Sequence, residues 1–100
     1  MIRRKVVLRL RAQKDLDEIA QWIADEASVD VAVNYVRRVE DYISRLDVGS
    51  HRGTLRNEIR PGLRTVGFEG RLTIAFLVEE TTVSVVRIFR AGRNWSEAFD

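Results

Sequence analysis

No cysteine occurs in the 100 residues, and histidine and proline occur once each. The missing cysteine excludes a disulfide framework, a thiolate metal site and a cysteine nucleophile, and it fits a reducing compartment. One histidine leaves carboxylates as the remaining metal ligands, and no two acids stand at ligand spacing, so neither a metal nor another cofactor is expected. Neither a G-x-x-x-x-G-K-[ST] nor a G-x-G-x-x-G run is present, so nucleotide binding has no motif. Ser28, Ser44, Ser50, Ser84 and Ser96 lack the context of a nucleophile elbow, which argues against a hydrolase triad. No apolar run approaches the roughly 20 residues of a membrane span. Met1–Lys5 leads only into a short apolar stretch broken by Arg9 and Arg11, which is not a secretory signal. A hydrophobic content of 45% with 32% charge fits one soluble domain over residues 1–100, large enough to bury a core without covalent staples.

Lysine is also scarce. Of the 17 cations, 15 are arginine, and the net charge is only +2, which is weak for a dedicated nucleic-acid binder. The distribution is uneven. Residues 1–14 carry six positive charges and no acid, while residues 15–47 carry nine acids against three cations. Arginine offers a planar fork to carboxylate or phosphate, so an acidic protein segment is as good a partner as RNA.

Val6, Leu8 and Leu10 alternate with Val7 and Arg9, the period of a half-buried strand. Ala12, Leu16, Ile19, Ala20, Ile23 and Ala27 then recur at helical spacing, as do Ala32, Tyr35, Val36, Val39, Ile43 and Leu46. Ser28 and Asp30 read as caps between the two helices, and Gly49 as a stop. Residues 47–60 read as a loop. Arg60-Pro61-Gly62-Leu63 has the signature of a type II turn. Three strands follow, Leu63–Phe68, Arg71–Glu79 and Thr82–Phe89, the first two joined by a hairpin at Glu69-Gly70. Both faces of the last two are largely apolar, which suggests central strands. The order β-α-α-β-β-β predicts an α+β domain, a helical hairpin on one face of a mainly antiparallel sheet.

Asp15, Asp17 and Glu18 read as first-turn acids complementing the helix dipole. Arg87 lies in an apolar strand and needs a partner if buried. Arg64, Arg87, Arg90 and Arg93 would hold a phosphate, but RNA cleavage also requires an acid and a base. Tyr35 and Tyr42 lie on the second helix and His51 in the loop, away from those arginines. Trp22, Tyr35 and Tyr42 flank the apolar stripes, where exposed aromatics mark protein interfaces. Trp95 and Phe99 are spaced i, i+4 in the tail.

The segments Gly53–Arg56 and Arg60–Phe68, the run Arg71–Phe76 and the run Val86–Trp95, together with Ala12, Asp15, Leu16 and Ile19, resemble ParE-type toxins of type II toxin–antitoxin modules within the ParE/RelE superfamily. The resemblance implies a small cytoplasmic toxin, of the kind associated with plasmid stabilization, that inhibits DNA gyrase by binding rather than catalysis. It implies neutralisation by a ParD-type antitoxin in a hetero-oligomer, a heterotetramer or larger. Promoter DNA is bound only through the antitoxin, and no membrane is involved. On this view the helical hairpin and neighbouring sheet form the antitoxin groove, with Leu16, Ile19, Trp22, Ile23, Tyr35, Tyr42, Arg56 and Arg60 as contacts and Arg3 and Arg4 also meeting an acidic tail. Arg90, Arg93, Trp95 and Phe99 are the target contacts. RelE-type relatives cut mRNA on the ribosome, and Arg64 and Arg87 match their strand arginines, with Arg90, or Trp95 further on, where a relative carries His or Tyr. A ribosome-dependent endonuclease and a non-toxic, antitoxin-binding member of the fold are the alternative readings.

Overall fold

The computed structural model describes residues 2–91. A short strand β1 (Lys5–Leu8) leads into helix α1 (Leu10–Glu26) and helix α2 (Val29–Ser44), followed by one 3₁₀ turn (Arg45–Asp47). Strands β2 (Thr54–Leu55), β3 (Leu63–Phe68), β4 (Leu72–Val78) and β5 (Thr82–Arg90) complete a five-stranded sheet of order β1-β5-β4-β3-β2. All neighbours are antiparallel except β1 and β5, which run parallel with Lys5 opposite Thr82 and Leu8 opposite Val85. This is the α+β fold expected, two helices packed on a mixed sheet.

Each element follows from local chemistry. Ser28 adopts an extended backbone and its Oγ accepts the Val31 amide at 3.1 Å, so it is the N-cap that breaks the hairpin and starts α2. The Arg60–Leu63 turn forms as read: Gly62 has φ +81° and the Leu63 amide donates to the Arg60 carbonyl at 3.0 Å. At the β3–β4 hairpin both Glu69 (φ +51°) and Gly70 (φ +67°) are left-handed, which matches the twist of the flanking strands. The helices bury Ala12, Leu16, Ile19, Tyr35, Val39, Ile43 and Leu46 against Val66, Phe68, Leu72, Ile74, Phe76, Val83, Val85 and Ile88.

Four local readings are corrected. Leu10 is not part of β1; it opens α1 and is 91% exposed, because β1 ends once its pairing with β5 is complete. The loop contains β2, a two-residue strand opposite Arg64 and Thr65 that is too short to leave a periodic signal. Tyr35 is not an exposed flank but 6% exposed, under the β3 end of the sheet and edge-on to Phe68. Asp15 is not a dipole complement. It is 5% exposed, and its two carboxylate oxygens accept from the Arg87 guanidinium at 2.8 and 3.2 Å.

That last contact belongs to the sheet edge. β5 outruns β1 beyond Val85, so among the described residues its Val86–Arg90 half has no strand on that side. α1 lies there instead. Asp15 accepts the Ile88 amide at 3.0 Å, which satisfies a backbone donor that a missing strand would otherwise leave unpaired.

Candidate partner-binding site

Where α1 and α2 meet the β3–β4 turn and the end of β5, the surface sinks into a groove of about 580 Å³. Its walls come from four elements. Ile19, Trp22 and Ile23 stand on α1, Tyr35 on α2, Gly70, Arg71 and Leu72 at the hairpin, and Arg90 and Ala91 at the end of β5. The register explains the meeting: Leu72 pairs with Arg90 and the Ala91 amide donates to the Arg71 carbonyl at 2.7 Å, so the β3–β4 turn and the end of β5 share one corner.

Trp22 is 48% exposed, and the Arg90 guanidinium lies over its ring, 4.7 Å from the centroid. Tyr35 packs edge-to-face on Phe68 at 5.8 Å, and Tyr42 does the same from the other side at 5.2 Å. Above Tyr35, Arg38 holds Glu69 through a two-pronged bridge at 2.9 and 3.0 Å. The Tyr35 hydroxyl is buried without a hydrogen-bond partner. Burial pushes its pKa up and the Glu69 carboxylate adds to this, while Arg71 and Arg38 pull the other way. The groove is thus apolar on its walls and cationic at its rim, and among the described residues no carboxylate lines it.

The structure gathers Ile19, Trp22, Ile23, Tyr35 and Arg90 around this groove. Leu16, 1% exposed, lies in the core beneath it. Tyr42 is half-buried on Phe68. Arg56 bridges Glu58 at 2.8 Å, Arg60 forms the turn before β3, and Arg3 lies 3.6 Å from Asp47. Arg93, Trp95 and Phe99 lie outside the described residues. The strand arginines are separately engaged: Arg64 stands opposite Phe76 and reaches the Arg52 carbonyl at 3.4 Å, Arg87 stands opposite Ala75 and is bound to Asp15, and Arg90 covers Trp22. Sequence reasoning missed Arg71 and Leu72. Their place at the groove follows from the hairpin register and not from any spacing along the chain.

A second, shallower groove of about 500 Å³ lies between the helices, lined by Ala20, Ala24, Ala32, Val33 and Val36 with Asp17, Arg37 and Glu40. Val29 and Val33, which also line it, are 67% and 43% exposed.

A helical hairpin on this mixed sheet, with an open groove at its corner, is the architecture of toxins from type II toxin–antitoxin systems. Residues 6–95 match the family model of the ParE toxin of type II toxin-antitoxin system, parDE, and the chain belongs to that family. Toxin ParE1 of Mycobacterium tuberculosis is 31% identical over 84 residues, covering 84% of this chain and 86% of that protein. A chain of the chromosomal ParDE TA system from P. aeruginosa superposes with a TM-score of 0.77 at 23% identity, over 87% of this chain and 95% of that one. A chain of the toxin–antitoxin complex RelBE2 from Mycobacterium tuberculosis gives 0.54 at 15% identity, over 89% and 99%. These two likenesses establish the fold.

Proposed function

We propose that this ParE-family toxin acts in the cytoplasm by binding DNA gyrase, performs no chemistry of its own, and is neutralised by a ParD-type antitoxin. The observation that carries the non-catalytic part is Arg87. A nuclease reading needs it at a phosphate, yet its guanidinium is only 10% exposed and bound to Asp15, with its carbon 4.5 Å from the Phe89 ring centroid. Arg64 and Arg90 are engaged on other groups, and the one histidine sits in the loop after the 3₁₀ turn. Family membership supports the gyrase target and the antitoxin. On this proposal the antitoxin's C-terminal segment folds onto the groove, its ordering offset by apolar contacts with Trp22, Ile23 and Leu72. Target contact involves Arg90 and the tail residues Arg93, Trp95 and Phe99. The hetero-oligomer binds promoter DNA through the antitoxin alone.

The test is induced expression without antitoxin, following plasmid supercoiling and double-strand breaks alongside total mRNA integrity. Gyrase-dependent DNA breaks with intact mRNA are expected, and purified toxin should inhibit supercoiling by purified gyrase. New mRNA ends on translating ribosomes with undamaged DNA would overturn the proposal, and growth without either lesion would make the chain a non-toxic member of the fold.

A further inference from the structure

We infer that the corner groove selects a partner segment in which a carboxylate stands beside an apolar side chain, with Arg71 and Arg90 receiving the carboxylate and the Tyr35 hydroxyl adding a hydrogen bond to the segment. The inference rests on the proposal that an antitoxin segment docks in this groove, and adds the chemistry by which the groove recognises it.

Charge complementarity is the first argument. Two arginines line the groove and, among the described residues, no acid does. Among the described residues neither is in an ion pair, although Arg38, Arg45 and Arg87 each hold a carboxylate at 2.8–2.9 Å. Arg90 lies against the Trp22 face, an arrangement that leaves the in-plane N–H donors of a guanidinium free for the two-pronged grip a carboxylate accepts. Ile23, Leu72 and Trp22 provide the apolar wall beside it.

Tyr35 is the second, independent argument. Tyr35 lines the groove, and its hydroxyl is buried and, among the described residues, has no hydrogen-bond partner. An occupant that brings only hydrocarbon gains nothing from it, because the hydroxyl is unpaired before and after binding. An occupant that carries an acceptor, or a water brought in with it, supplies the missing partner after a small shift of the side chain. Selection of a carboxylate over a neutral side chain then lies in the two arginines, and Tyr35 favours a polar occupant over a purely apolar one.

The probes are two alanine-based helical peptides of 14 residues, one with leucine and glutamate at i, i+4 and one with glutamine replacing the glutamate. Both are titrated into the full chain by calorimetry and by NMR of the backbone amides. The glutamate peptide is expected to bind at least tenfold tighter, with shifts centred on Ile23, Gly70, Leu72 and Arg90. Arg71→Gln and Arg90→Gln each weaken it severalfold. Tyr35→Phe weakens both peptides, because the carboxylate and the carboxamide each offer the hydroxyl an acceptor, with the amide spectrum outside the groove preserved to show an intact fold. Equal affinity for both peptides overturns the inference while leaving groove docking in place. Absence of binding, or binding at the valine-rich groove between the helices, overturns both. Contacts from the Phe99 ring to Ile23 or Leu72 in the free protein would make the chain's own tail the occupant. Concentration-dependent shifts in the absence of peptide would make it a second copy. Either result overturns the inference.

Discussion

Asp15 is a buried carboxylate that ties α1 to β5. It satisfies Arg87, caps the Ile88 amide and lies 3.7 Å from Arg11. The two partners of the buried pair are therefore unequal. Asp15→Ala leaves a buried guanidinium with only the Phe89 face and orphans a backbone donor, and should cost about 3–5 kcal/mol. Arg87→Met leaves Asp15 with the Ile88 amide and the exposed Arg11, and should cost no more than about 2 kcal/mol. Urea unfolding of both variants checks the order, and equal losses would refute it. The sign reverses at Tyr35. Removing an unpartnered buried hydroxyl should stabilise the free protein, so Tyr35→Phe should raise the unfolding midpoint by roughly 1 kcal/mol equivalent. A loss of stability would mean that the hydroxyl has a partner in solution.

At the scale of elements, the turns set how substitutions divide. Gly53 and Gly62 both have left-handed backbone, at φ +77° and +81°. A Cβ on Gly62 meets nothing within 4 Å, whereas one on Gly53 would lie 2.3 Å from the Thr65 carbonyl oxygen and 2.6 Å from Val66 Cγ1. Gly62→Ala should therefore cost about 1 kcal/mol from backbone strain alone. Gly53→Ala should cost clearly more and loosen β2 from β3, seen as faster amide exchange at Leu55 and Thr65. The β3–β4 hairpin is tied to α2 by Arg38 and Glu69, and the Arg38 hydrogen bond holds the Glu69 carboxyl below its ordinary value of 4.5. A depressed carboxyl contributes stability that is present above its unfolded pKa and is lost as pH falls through the lower folded one. Glu69→Gln should accordingly flatten the loss of stability on acidification below about 4.5, an effect that added salt reduces.

The same elements show what could be read in the chain. Leu63–Phe68 was delimited in full, and the Pro61-Gly62 turn and Glu69-Gly70 hairpin were placed, because turn chemistry and period-two alternation are local. Ser28 was legible as a cap for the same reason. Asp15 was misread because the rule for first-turn acids concerns one helix, while its actual role is set by where β1 stops along β5. Angular position on the helix makes Tyr35 read as a flank, because it does not say what the sheet covers. The groove was half legible. Trp22, Ile23 and Arg90 stood out by type, but only the register between β3, β4 and β5 brings Arg71 and Leu72 to meet them.

At the scale of the whole molecule, β5 joins everything. It pairs with β1 on one side and β4 on the other, receives α1 along its open edge, and buries Val83, Val85, Ile88 and Phe89. A chain ending at Glu80 keeps both helical patterns and the β3–β4 hairpin, yet it should show no cooperative thermal transition. Calorimetry of that fragment against the full chain is the check, and a two-state melt would show that the helices and hairpin suffice.

The parallel pairing of Lys5 with Thr82 also has a consequence for how the protein is born. Both helices and strands β2 to β4 lie between β1 and β5 in the chain, so they are made before this pair can close and the sheet cannot be assembled in the order in which it is made. The apolar stripes of both helices emerge from the ribosome long before the surface that covers them exists. The groove corner needs residues of α1 together with Arg90, so a polypeptide stalled before β5 has been made has no complete corner with which to grip a partner.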